Sequence, residues 1–248
     1  MATLGGALAH YDRSQLLYQL GEIVGERTYL RHGIELDPGD VVLDVGANVG
    51  VAAAFFASEC GAGRIHCFEP VAPLVELLRE NVARFEACVV HGYGLSSTDG
   101  CATITYYPAA AAMSGVYANP DADRALVRRC LINLGLSQEA AEAEVSGRYE
   151  PVELTCELRT LSRTLREEAI DRVDLLKIDV ERAELDVLEG IADPDWPRIR
   201  QLVAEVHDER GRLATAVAML AERGFEVVTD QDPVMAGTPV HMVYARRR

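Results

Sequence analysis

The stretch Val41-Val42-Leu43-Asp44-Val45-Gly46-Ala47-Asn48-Val49-Gly50 constrains the fold of this chain more than any other. Val41 to Val45 is a short β-branched run with one acid, the composition of a central parallel strand buried on both faces. Gly46 and Gly50 permit a sharp turn and a close backbone approach. Val51 to Cys60 is alanine- and phenylalanine-rich and reads as a helix with an apolar face. A strand that turns through glycines into a helix aims backbone N–H groups at a crevice on the sheet edge, where a ligand can sit. A glycine turn in any α/β sheet has the same appearance, so the meaning of this stretch depends on its partners.

The first partner is the next strand, Arg64 to Phe68, which ends in Glu69-Pro70. Glu69 lies 19 residues after Gly50, about where a nucleotide-binding α/β unit places the carboxylate that accepts two ribose hydroxyls. Leu74, Leu77, Leu78, Val82 and Phe85 mark one face of a following helix, and Cys88 to Ser96 reads as a third strand running into a loop. The order β-α-β-α-β is one half of a doubly wound sheet. The second signature is Val173 to Leu185. Leu175 to Ile178 forms a buried strand interrupted by Lys177, and Asp179 and Glu181 fall at its C-terminal, functional end. Ile199 to His207 is the next strand. Glu205 and His207 are two apart and share a face of it, a plausible base and orienting partner. Phe225–Thr229 and Val240–Tyr244 read as a closing antiparallel hairpin.

Two segments lie outside that rhythm. Residues 1–37 form an N-terminal extension, with a helix expected from His10 to Arg27 capped by Asp12 or Ser14. Residues 108–150 are too long for a simple connection and carry two expected helices, Asp121–Leu134 and Ser137–Val145. They suit either a lid over the site or a packed surface subdomain. The chain of 248 residues is expected to be a single domain. A formal net charge of −15 argues against a nucleic-acid partner. The six cysteines form no C-x-x-C pair and read as reduced, mostly buried thiols of a cytoplasmic protein. No signal peptide, membrane span or metal site is expected.

The spacing D-x-G-x-x-x-G at Asp44, Gly46 and Gly50 is not the G-x-G-x-x-G of dinucleotide sites, and a carboxylate at that turn suits a cofactor with a cationic end. It is similar to the pattern of S-adenosylmethionine (SAM) methyltransferases. Together with Phe68-Glu69-Pro70 and Leu176-Lys177-Ile178-Asp179-Val180-Glu181, the chain resembles the FkbM family of these enzymes from about Tyr29 to Tyr244. Many members of that family have glycine after the last glutamate, where this chain has Arg182. That basic residue, with Glu205-Val206-His207-Asp208 and Met113-Ser114-Gly115, resembles the O-methyltransferases of polyketide and nonribosomal-peptide pathways.

The resemblance implies a class I, Rossmann-like α/β fold and methyl transfer from SAM to a hydroxyl of a small molecule, free or bound to a carrier protein. Some members of that subgroup are domains of megasynthases. An own methionine fits a free-standing enzyme, with an excised domain as the alternative. The resemblance further implies Tyr29, Asp44, Gly46, Asn48, Gly50, Glu69, Pro70, Gly94, Leu95 and Asp179 at the cofactor. In detail, Asp44 stands near the methionine ammonium, Glu69 at the ribose, and Tyr93, Gly94 and Leu95 at the adenine. His207 is the expected general base, held by Glu205, with Asp179 beside them. A metal-assisted alternative uses Asp179, Glu205 and His207 as ligands. A nucleotide-binding oxidoreductase and a non-catalytic SAM-fold module are the competing classes.

Overall fold

The computed structural model describes residues 8–247. The expected extension over 1–37 therefore lies partly outside the described residues. The chain enters through α1 (Arg13–Gln19), whose first turn Asp12 caps by accepting from the Gln15 N–H at 3.0 Å. The expected helix does not continue as an α-helix. It widens into a π-helical turn over Leu20–Gly25, closed by the Glu26 N–H on the Gly21 carbonyl at 2.9 Å. Glycines at both 21 and 25 weaken the α-helical register, and such turns recur at functional sites.

Three parallel strands follow: β1 (Val41–Val45), β2 (Arg64–Phe68) and β3 (Cys88–His91). They alternate with α2 (Val51–Ser58) and α3 (Ala72–Val82). The chain then leaves the main sheet. A two-residue strand β4 (Gly94–Leu95) and the longer β5 (Gly100–Tyr106) both pair with β6 (Val152–Arg159) in a separate three-stranded sheet. The expected strands near 101–107 and 152–158 thus pair with each other, antiparallel from Gly100↔Leu158 to Tyr106↔Val152. Between them lies the insertion, with α4 (Pro120–Asn133) and α5 (Gln138–Val145). Asn119 and Ser137 cap these helices by accepting from backbone N–H groups of their first turns.

After α6 (Leu161–Glu167) the chain returns to the main sheet through β7 (Leu175–Ile178), α7 (Glu184–Glu189), β8 (Gln201–His207) and α8 (Arg212–Glu222). β9 (Phe225–Asp230) and β10 (Val240–Arg247) close it as an antiparallel hairpin. The seven-stranded order is β3-β2-β1-β7-β8-β10-β9, so β10 lies between β8 and β9 and runs against the sheet. The order reverses between β1 and β7, and the crevice at that reversal is where open α/β sheets bind ligands.

Both faces of the sheet are covered. Val42 packs in one cluster with Phe55, Phe56, Leu74 and Leu78, while Leu43 and Val45 pack in another with Leu165, Val187 and Leu220. Each such side chain contributes about 1.5–3 kcal/mol on full burial. That burial fixes the strand ends from which the site is built. None of the six cysteines is paired, and four of them are buried.

Candidate active site

At the switch point Gly46 (φ +77°) turns β1 into α2 directly beside the end of β7. A Cβ on Gly46 would lie 1.7 Å from the Asp179 carbonyl oxygen, so only glycine lets the two strand ends meet. The Gly46 and Ala47 N–H groups both donate to the Phe68 carbonyl at 3.0 Å, which ties the turn to the end of β2. Glu69 follows. Its Oε2 accepts from the Asn48 N–H and its Oε1 from the Val71 N–H, each at 2.9 Å. Burial pushes this carboxyl up to about 7, against the pull of those two bonds.

A cavity of about 180 Å³ opens over this frame. Gly46, Asn48, Glu69, Pro70, Gly94 and Leu95 line one end, and Tyr29, Asp179, Glu181 and Glu205 the other. A Cβ on Gly94 would sit 2.8 Å from Leu158. The Tyr29 hydroxyl donates to Asp179 Oδ2 at 2.8 Å.

Three sequence expectations land differently. Asp44 does not line the cavity. It is fully buried behind the wall, 3.1 Å from Lys177 Nζ, which also donates to the Gly46 carbonyl at 2.7 Å. Burial pushes the Asp44 carboxyl up and Lys177 opposes that. Burial alone would lower the Lys177 ammonium, but Asp44 and Asp179 carry it above its ordinary value. The pair braces the turn from beneath. Gly50 (φ +87°) is also absent from the lining; its missing Cβ makes room for Leu78 of α3, so its role is packing. Tyr93 faces away from the cavity, against Phe68 and His91 and toward the Thr164 hydroxyl.

The other end is built from side chains. His207 is 1 % exposed, and its Nδ1 lies 3.1 Å from Glu184 Oε1, not in a bond with Glu205. Glu205 and His207 do share a face of β8, but α7 brings Glu184 over the strand end to the ring, while the Glu205 carboxyl reaches the cavity. His207 Nε2 lies 3.3 Å from Glu181 Oε2, close enough for an ion pair but off the line of a straight N–H···O bond. Burial would lower the imidazole, but Glu181 and Glu184 more than reverse that and hold it well above its usual range. Burial also raises the Glu181 and Glu205 carboxyls. Oxygens of Asp179, Glu181 and Glu205 all lie within 4.8 Å of one another, a set that could also hold a divalent cation.

Glu181 (φ +50°) and Arg182 (φ +73°) are successive left-handed residues. Glycine, expected at 182 from the resemblance, adopts that conformation without strain. Here Arg182 holds it with side-chain contacts, to Asp123 of α4 at 2.6 Å and to Glu209 at 2.8 Å. The insertion also presses on the site directly. Residues 111–116 line the cavity, and a Cβ on Gly115 would come within 3.0 Å of Glu181.

The sequence places Glu181 at the functional strand end without a role, and does not single out Glu184 or Glu22. Glu184 had a signal, lying three residues beyond Glu181 just after a strand end. Glu22 had none, because inside an expected helix nothing distinguishes it from a solvated face.

Residues 44–227 match the family model for the methyltransferase FkbM domain. The chain is 42% identical over 247 residues to the 31-O-demethyl-FK506 methyltransferase FkbM of Streptomyces tacrolimicus, covering 98% of this chain and 94% of that protein. It is 38% identical to the AMB antimetabolite synthetase AmbE of Pseudomonas aeruginosa, across 98% of this chain but 12% of that protein. Methyltransferase sdnD of Sordaria araneosa is 29% identical over 95% of this chain and 90% of its own length. The crystal structure of methyltransferase FkbM from Methylobacillus flagellatus KT superimposes with a TM-score of 0.52 at 15% identity, covering 98% of this chain and 57% of that one. Among the described residues no helix is long and apolar enough to cross a membrane.

Proposed function

The chain belongs to the FkbM family of SAM-dependent methyltransferases, and from that premise we propose that it methylates a hydroxyl of a small polyketide or peptide intermediate, free or carrier-bound. The relative named for 31-O-demethyl-FK506 supports this reading, as does AmbE, a synthetase. The observation that carries it is the division of one cavity into a backbone-built end around Glu69 and a carboxylate-rich end backed by a histidine.

The residues fit the cofactor. Gly46 and Gly94 line the cavity with backbone alone, and Glu69 is a buried carboxylate at the nucleoside end. Asn48, Glu69, Pro70, Gly94 and Leu95 would hold the nucleoside, and Tyr29 and Asp179 the methionine end. Lys177 and Asp44 support that end from behind the wall. Bound there, SAM supplies an electrophilic methyl group.

The proton of the acceptor hydroxyl needs a receiver as its oxygen becomes an ether. The Glu181 carboxylate is that receiver, and His207, the base expected from the sequence, instead stands as an imidazolium that favours the ionised form of Glu181. Glu181 faces the cavity, His207 stands behind it, and Glu184 fixes the ring through Nδ1. The O–H proton passes to the Glu181 carboxylate and from there to solvent. Glu205 positions the hydroxyl. The fixed positive charges nearby are Lys177 and His207, so no divalent cation is invoked. Mass spectrometry of candidate alcohols, free and carrier-bound, incubated with SAM tests the reading. A product in which methyl replaces the hydroxyl hydrogen is expected. Methylation confined to nitrogen or carbon, or binding of NAD rather than SAM in a thermal-shift assay, would overturn it.

A further inference from the structure

A second cavity, about 220 Å³, lies beside the first, between the N-terminal helical segment and the β9–β10 loop. Tyr18, Glu22, Glu205 and Met235 line both, so the two form connected chambers. Leu17, Tyr18 and Leu134 edge the second chamber and are 58%, 44% and 53% exposed, three of the six large exposed apolar side chains among the described residues. An apolar edge of this kind around a polar floor marks a binding site.

The floor has a distinct charge pattern. Arg31 is bound to Glu26 at 2.8 Å and lies 3.7 Å from Asp232, and Asp230 is bound to His32 at 2.9 Å. Glu22 and Glu205 are different. Among the described residues neither side chain has a hydrogen bond or ion pair, and both face the junction of the chambers. The π-helical turn carries Glu22 there.

We propose that this second chamber is the acceptor subsite, that it takes an uncharged, apolar-bodied alcohol, and that Glu22 and Glu205 together hydrogen-bond the alcohol's oxygens at the junction. The proposal rests on the O-methylation reading and adds the place and chemical class of the acceptor. Leu17, Tyr18, Leu134 and Met235 contact its apolar body. Burial, with Asp179 and Asp232 nearby, pushes the Glu22 carboxyl up to about 7, so it can hold a proton near neutral pH and donate to an alcohol oxygen as well as accept from its O–H. Glu205 faces the same junction with no other partner to occupy its oxygens among the described residues. A carboxylate, sulfate or phosphate on the acceptor would meet five acidic residues and one arginine already engaged.

The test is saturation-transfer NMR on the full chain with saturating S-adenosylhomocysteine, using cyclohexanol, cyclohexanecarboxylate and cyclohexylammonium as probes. Cyclohexanol should receive saturation and the carboxylate should not. Leu134→Asp, an exposed position at a helix end, should weaken cyclohexanol about fivefold while S-adenosylhomocysteine affinity is unchanged. Glu22→Ala should weaken it as well. Equal binding of the carboxylate, or a stronger response from the ammonium, overturns the charge assignment. Cyclohexanol binding indifferent to both variants overturns the location. The readout needs no turnover, so an intact alcohol site without transfer to any oxygen would break the O-methylation reading instead.

Discussion

The two ends of the active-site cavity are made differently. The end around Glu69 is largely backbone: a glycine turn, braced from behind the wall by a lysine–aspartate pair, and peptide N–H groups on Glu69. The opposite end is side chain: Glu22, Glu181 and Glu205, drawn from three distant segments, with His207 and Glu184 behind them. Backbone geometry tolerates little exchange and suits a constant ligand. A cluster of ionisable side chains can change its protonation and its specificity without disturbing the sheet. On the proposed function the first end would serve a fixed methyl donor and the second a variable acceptor.

The largest effect expected from breaking this division is at Gly46. Gly46→Ala places a Cβ on the Asp179 carbonyl, and either the turn opens or β1 and β7 separate. We expect destabilisation of about 3 kcal/mol or more and no SAM binding by calorimetry. Near-normal affinity would mean that the nucleoside end is not built from backbone after all. At the other end, His207→Ala and Glu181→Gln should each lower kcat by about 10²–10⁴-fold with SAM affinity unchanged. Full turnover by the purified His207→Ala protein would remove His207 from the proton-accepting pair.

A smaller effect sharpens the contrast through pH. Glu69 titrates at about 7 in the folded chain against 4.5 for a free glutamate. Its folded value is raised, so its contribution to stability is complete below pH 4.5 and is lost as pH rises through 7. Without cofactor, the Tm should fall between pH 5 and pH 8 by an amount that Glu69→Gln removes. The ribose hydroxyls need the ionised carboxylate, so SAM affinity should move the other way and tighten as pH rises through about 7. A flat affinity profile in the wild type would separate Glu69 from the ribose. The smallest expected effect is none: strong chelation should leave methylation intact, because Lys177, His207 and the SAM sulfonium already balance the carboxylates. Loss of activity restored by magnesium would assign Asp179, Glu181 and Glu205 to a cation instead.

The same division governs what could be read from sequence. The strand–turn–helix at Val41–Gly50 and the strand-end Glu69 are local, so periodicity and spacing place them. The sheet strands and the positions of Asp179, Glu205 and His207 at strand ends followed from the same pattern. The partner of His207 did not. Choosing Glu184 over Glu205 depends on how α7 settles over β8, a packing question with no period in the sequence. Asp44 read as a cofactor contact because its spacing is right, but Lys177, 133 positions later, turns it inward. Glu22 was hidden because a π-helical turn has the composition of an ordinary helix. The strands at 100–106 and 152–159 were recognisable singly, but nothing local announces that they pair with each other outside the main sheet.

That pairing sets how this enzyme can diversify. Tyr106 and Val152 are held opposite each other, so the chain leaves for the insertion and returns from it at one place. Lengthening a segment whose ends already meet adds closure cost only logarithmically. The insertion can thus be exchanged between lineages like a tool in a fixed handle. Its inner edge at 111–116 shapes the first cavity and Leu134 the second, and the strands of the main sheet keep their register.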